Sequence, residues 1–168
     1  TASQNQAIED IVSDFNSGEK MNRLLAGDVG SGKTAVALMA AVYAVRCGYQ
    51  VAFMAPTEIL ARQHYSTTCK LLEGQNIKIG VLTGVSSTAE KKEVKAAVKA
   101  GALNLLIGTH SVIGDKVEFS NLGFIIIDEL QRFGVRHKSS LENKSENVDV
   151  LVMSATPIPR AMALTLYG

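Results

Sequence analysis

Residues 123–129 read GFIIIDE: a glycine, an unbroken apolar run, and then two carboxylates side by side, Asp128 and Glu129. A strand with one face in water alternates apolar and polar residues, whereas a strand covered on both faces, as in a parallel sheet, is apolar throughout. Adjacent carboxylates cannot share that burial without a heavy desolvation cost, so they belong where the strand runs out of the core. The stretch therefore predicts a parallel strand that ends on a rim and presents acids there.

Working outward, runs of the same continuous character recur: RLLAG from Arg23, YQVAFMAP from Tyr49, IKIGVLTG from Ile77, LNLLIGT from Leu103 and VDVLVMSAT from Val148. Helical patterns lie between them. Residues 33–47 are apolar almost all round, and after Thr57 the positions Ala61, Tyr65, Cys69 and Leu72 fall close to one helical face. Ser87 and Glu90 have capping-box spacing ahead of a segment that turns Val94, Ala97 and Val98 inward. Lys91, Lys92, Glu93, Lys95 and Lys99 then face water as a solvated surface. Strands and helices in this rhythm predict an α/β fold, a doubly wound, mainly parallel sheet with helices on both faces. Ligands of such sheets bind beyond the carboxyl ends of the strands.

A chain of 168 residues is the size of one domain, and a net charge of +1 argues against holding nucleic acid by bulk charge. Phosphate contacts, if any, must be local ones made by backbone N–H groups and hydroxyls. Cys47 and Cys69 match no metal spacing and are expected to be core thiols. The polar opening TASQNQAIED carries no secretory pattern and no apolar run is long enough to span a membrane, which fits a reducing cytoplasm. HKSSLENKSENVD, 137–149, is expected to be a surface excursion.

GDVGSGKT, residues 27–34, has the GxxxxGK[ST] pattern and stands between a strand and an apolar helix. The segment Gly27, Asp28, Val29, Gly30, Ser31, Gly32 curls its N–H groups around phosphate, and its glycines permit the turn and the close approach. Lys33 reaches the β- and γ-phosphates and Thr34 offers its hydroxyl to Mg²⁺, which points to ATP with magnesium. Asp128 would hold the metal from the far strand, and Glu129 would orient the attacking water. A GTPase would want glycine where this chain has Gln131. A small-molecule kinase accounts for cradle and acids alike, and a catalytically idle interaction module is the other alternative.

Further strings narrow the choice. Thr1 to Gln4, APTEILARQH (55–64), LTG (82–84), GTHSVI (108–113), IIIDELQRFGV (125–135) and MSATPIPR (153–160) together resemble superfamily 2 helicases, closely the RecG family of bacterial ATP-dependent helicases of branched DNA. The resemblance covers essentially the whole chain. Transcription-repair-coupling translocases share the RFGV and TPIPR strings but typically carry an aromatic at the place of Ser31, and they remain the alternative within the same class.

The resemblance implies a RecA-like first motor domain, 1–168, cut from a larger monomeric enzyme of DNA repair and recombination whose wedge and second motor domains lie elsewhere. It implies that Gln4 reads adenine, and that Pro56, Thr57, Arg62, Thr83, Gly84, Thr109 and His110 meet DNA. Lys33, Glu129 and Gln131 form the implied catalytic set, with Gln131, Ser154 and Thr156 coupling the nucleotide site to motion. Gln131 is a departure: the family usually reads Asp-Glu-Gln-His, and this chain has Leu130 and Gln131 in the last two places. Glutamine keeps hydrogen-bonding capacity but cannot become charged.

Overall fold

A computed structural model describes residues 2–18, 22–26, 32–109, 117–128 and 148–154. The elements in chain order are α1 (Ala2–Asn16), β1 (Asn22–Ala26), α2 (Lys33–Arg46), β2 (Gln50–Met54), α3 (Glu58–Leu71), β3 (Ile79–Leu82), α4 (Thr88–Lys99), β4 (Leu105–Gly108), β5 (Leu122–Asp128) and β6 (Asp149–Ser154). All the strands expected from the apolar runs are present, in one six-stranded sheet ordered β1-β6-β5-β2-β4-β3. Every pairing is parallel.

Side-chain alternation along the strands sorts the core into two layers. Phe53, Leu105, Ile107, Phe124, Ile126, Leu151 and Met153 pack on one side with Ile11 of α1, Ala37 and Ala41 of α2, and Ala61 of α3. Ala52, Met54, Leu106, Ile125, Ile127 and Val152 pack on the other with Val98 of α4. Both faces are thus covered, which is why β5 reads as an unbroken apolar run.

Helix ends follow local chemistry. Thr57 caps α3, its hydroxyl accepting from the Leu60 N–H at 3.2 Å. The expected capping box of α4 is present, with Ser87 and Glu90 bonding reciprocally at 3.1 Å each. At the amino edge Gln50 is buried and fully satisfied: its amide donates to the carbonyls of Val98 (2.9 Å) and Leu103 (2.8 Å) and accepts from the Asn121 N–H (2.8 Å).

Two findings depart from expectation. Helix α1 has no counterpart among the elements expected from sequence. Its apolar positions Ile8, Ile11 and Phe15 recur at helical steps, and Phe15 meets Phe124 edge-on at 5.1 Å. Arg23 of β1 ties the helix down through a 2.7 Å bond from Nε to Asp14, and that bond raises the guanidinium pKa further against an opposing effect of burial.

The cysteines are the second departure, and the expectation that both are core thiols is corrected: Cys47 is exposed and Cys69 half-buried. Cys47 follows the last residue of α2, past the stretch that the sheet covers. On α3 the buried stripe runs through Ala61, Thr68 and Leu72, so Cys69 lies at its margin beside Tyr65. Burial pushes the Tyr65 phenol up, and the Cys69 thiol adds to the shift.

Candidate functional site

Because the sheet is wholly parallel, the carboxyl ends of its strands form one rim. Register fixes the order along it: Ala26 pairs with Ser154, Met153 with Asp128, Ile127 with Met54, Met54 with Gly108, and Gly108 with Leu82. Described residues that follow these positions meet the rim in the same order.

The first half of the rim holds the nucleotide candidates. Lys33 and Thr34 open α2, which follows β1 and lies on the layer of β2 and β5 that carries Phe53 and Phe124. Asp128 ends β5 in step with Phe124 and Ile126, so it belongs to that same layer. Gly32 precedes α2 at φ 85°, ψ 18°, and no side chain caps the helix there. First-turn N–H groups without a side-chain cap are donors aimed at whatever anion meets that helix end. A side chain at Gly32 would be strained by that φ, which is what calls for glycine, and it would push aside the flexible end of the Gln4 side chain. Gln4 of α1 is thereby set against the last glycine of the cradle. Ser154 ends β6 between β1 and β5 and is fully buried.

Asp128 has a partner that the motifs did not indicate. The Nε2–H of His64 donates to its Oδ2 at 2.8 Å. The two side chains are 14% and 17% exposed, so the bond is largely shielded from water. The His64 ring lies on Phe53 with centroids 4.6 Å apart. His64 belongs to the APTEILARQH string, but nothing in its local spacing announces a carboxylate so distant in sequence. The signal is the neighbouring placement of β2 and β5, which a linear pattern does not contain.

The second half of the rim holds the nucleic-acid candidates. Pro56 and the exposed Thr57 follow β2, Thr109 follows β4, and Thr83 and the exposed Gly84 follow β3. Thr83 is fully buried and its hydroxyl lies 3.4 Å from that of Ser86, so a ligand meeting this loop would meet backbone and Gly84 rather than the Thr83 side chain. Arg62 is exposed but lies further along α3, lining a cleft with Ser86, Glu90 and Glu93 at the open edge of β3. Through that cleft it adjoins Ser86 of the loop that follows β3. Gly27 to Ser31, His110, Glu129, Gln131 and Thr156 lie outside the described residues, as do most of 137–149.

Thr34 and Asp128 offer a hydroxyl and a carboxylate, hard oxygen donors of the kind that magnesium takes. Among the described residues no three His, Cys, Asp or Glu side chains gather into a metal cage. Magnesium suits such a site, since it keeps several waters and binds through one or two protein oxygens plus substrate phosphates. Other clefts, such as the one lined by Cys69, Leu72 and Ile77, sit at the opposite, amino edge of β3, away from this chemistry. No described helix is long and apolar enough to cross a membrane.

Comparison with known proteins places the chain in a family. The family model "DEAD/DEAH box helicase" matches residues 1–164. ATP-dependent DNA helicase RecG of Borreliella burgdorferi is 48% identical over all of this chain, which covers 24% of that relative. Transcription-repair-coupling factor of Staphylococcus haemolyticus is 44% identical, again over the whole chain and 14% of the relative. Among solved structures, RecG bound to a three-way DNA junction superposes with a TM-score of 0.87 at 48% identity, over all of this chain and 22% of that one. The chain thus spans at most about a quarter of the length of these relatives.

Proposed function

Since the chain belongs to the DEAD/DEAH box helicase family, we propose that it is the first RecA-like motor domain of an ATP-dependent DNA helicase that remodels branched DNA. The observation that supports this reading is the single rim on which the opening of α2 and the carboxyl ends of β5 and β6 adjoin the loops after β2, β4 and β3. A motor must let phosphate chemistry at one place move a grip at another, and adjacent strand ends supply both within one rigid sheet.

In this reading Lys33 and the cradle N–H groups bind the phosphates of ATP, Gln4 pairs with adenine, and Thr34 and Asp128 hold magnesium. The metal, once bound, neutralises charge developing on the transferred phosphoryl group. Glu129 accepts the proton of the attacking water. Pro56, Thr57, Thr83, Gly84, Thr109 and His110 meet the DNA backbone, whose phosphates are read by N–H and hydroxyl groups without need of net charge. Gln131 carries the state of the nucleotide to Ser154 and Thr156. A second motor domain supplies the arginine that completes hydrolysis, and a wedge domain engages the junction.

A coupling translocase of transcription-repair type is the second reading, favoured by the 44% likeness along the whole chain. Junction unwinding by the complete enzyme separates the two, since a translocase that moves on duplex without opening forks fails it. Glu129→Gln in the complete enzyme tests the chemistry. We expect nucleotide binding to survive while turnover falls about 10²- to 10⁴-fold, the usual share of a general base. Turnover within tenfold of wild type would show that another group orients the water.

A further inference from the structure

Apart from Gln4 of α1, the nucleotide candidates lie at or after the carboxyl ends of β1, β6 and β5, and the nucleic-acid candidates after β2, β4 and β3. The boundary falls between β5 and β2, and His64 crosses it. Its helix opens at Thr57, on the nucleic-acid side, yet its Nε2–H is committed to Oδ2 of Asp128 at 2.8 Å on the nucleotide side. Phe53, fully buried in β2, supports the imidazole from below.

We infer that His64 is the positioning residue for Asp128, and that through it a shift of α3 alters how the carboxylate serves the metal. This rests on the functional reading above. The last torsion of an aspartate is broad, so an unsupported carboxylate presents its oxygens over a range of angles. A hydrogen bond from a ring that is itself packed removes that freedom, and such supporting partners are worth about 10- to 100-fold in metal affinity. With Oδ2 engaged by the imidazole, Asp128 would present its carboxylate to a bound metal in one fixed orientation. A phosphate taken at the start of α3 moves a helix whose second turn carries His64, so the grip on DNA and the set of the carboxylate change together. Allosteric linkage requires that the effect run both ways, with magnesium-nucleotide altering affinity for DNA.

The competing explanation is that His64 only fills space over Phe53. Paired substitutions in the complete helicase distinguish the two. His64→Phe keeps a ring on Phe53 and removes the donor, whereas His64→Gln keeps a donor near the Nε2 position and loses the ring. The readout is binding of a fluorescent, non-hydrolysable ATP analogue titrated with Mg²⁺, with and without forked duplex DNA, alongside thermal melts.

For His64→Phe we expect the half-saturating Mg²⁺ concentration to rise about tenfold, with little change in melting. For His64→Gln it should return to within about threefold of wild type. DNA should shift the midpoint in the wild type and leave the Phe variant unmoved. In an Asp128→Asn background, His64→Phe should add nothing further, as expected for residues acting as one unit. A Phe variant that binds like wild type, or a Gln variant as impaired as Phe, overturns the positioning role. A wild-type midpoint indifferent to DNA overturns the link. Should the Phe variant fail to fold, His64→Leu takes its place under the same criteria. Absence of any Mg²⁺-dependent binding by the wild type would instead overturn the functional reading itself, and is recognised because it appears before any substitution is made.

Discussion

Lys33 and Gly32 sit side by side at the opening of α2, and they fail in different ways. Lysine contributes a charge, so Lys33→Ala removes a charge-assisted contact worth about 1.5–3 kcal/mol. At about 1.4 kcal/mol per tenfold, that is roughly a 10- to 150-fold loss of affinity for an ATP analogue. Titration by fluorescence measures it, and unchanged affinity would remove the cradle assignment. Glycine contributes a conformation. Gly32→Ala meets the positive φ, so it should cost more than about 1 kcal/mol of stability, and its methyl should displace the end of the Gln4 side chain as well. A melt that falls by less than that would mean the backbone re-forms around the new methyl. Lys33 could be proposed from sequence because the pattern that contains it is local, and its place at the opening of α2 is as expected. His64 was not, because its partner is brought near only by strand order.

At the scale of elements, the strands announced themselves. Burial on both faces leaves a run of apolar residues that no exposed segment imitates, and β5 is the plainest instance. Helix α4 was equally legible, because its capping box is written in consecutive residues. Helix α1 was hidden by its composition: Gln4, Gln6, Glu9 and Asp10 stand out in the stretch, and Ala7, Ile8, Ile11 and Phe15 carry the apolar step. Buried thiols were misplaced since a helix that is apolar all round gives no face by which to orient Cys47. What no run of residues reveals is how the elements are pinned to each other. Gln50 does this at the amino edge, linking the end of α4, the approach to β4 and the approach to β5. Gln50→Leu leaves the Leu103 carbonyl and the Asn121 N–H without this partner in part-buried places, while the Val98 carbonyl keeps the Gly101 N–H at 3.1 Å, and the loss should cost about 3 kcal/mol. The melting temperature should fall by roughly 6–12 °C, at about 2–4 °C per kcal/mol. A fall of only a degree or two would show that water replaces the amide. Ser87→Ala is the milder control, losing about 1 kcal/mol with its cap.

The whole molecule brings a different constraint. A sheet whose two faces are covered is stiff, and a near-neutral surface has little long-range pull on a polyanion, so both binding and motion depend on contacts at the rim. A rim belonging to one motor domain closes only one side of a triphosphate. On the proposed function, the arginine that stabilises charge on the departing phosphoryl group comes from a second motor domain, a contribution of about 10³- to 10⁵-fold in rate. The 168-residue chain alone should therefore bind ATP with magnesium yet hydrolyse it at least about 10³-fold more slowly than the complete enzyme. Forked DNA should fail to restore the rate, because the missing group is absent whichever strand is gripped. Strand separation should be undetectable. Single-turnover hydrolysis on the purified chain, with and without a fork, gives the measurement, and Lys33→Ala serves as the control against a contaminating ATPase. DNA-stimulated turnover near that of the complete enzyme, lost in the Lys33→Ala control, would mean that this rim completes the site by itself and that the division of labour proposed for the motor is wrong.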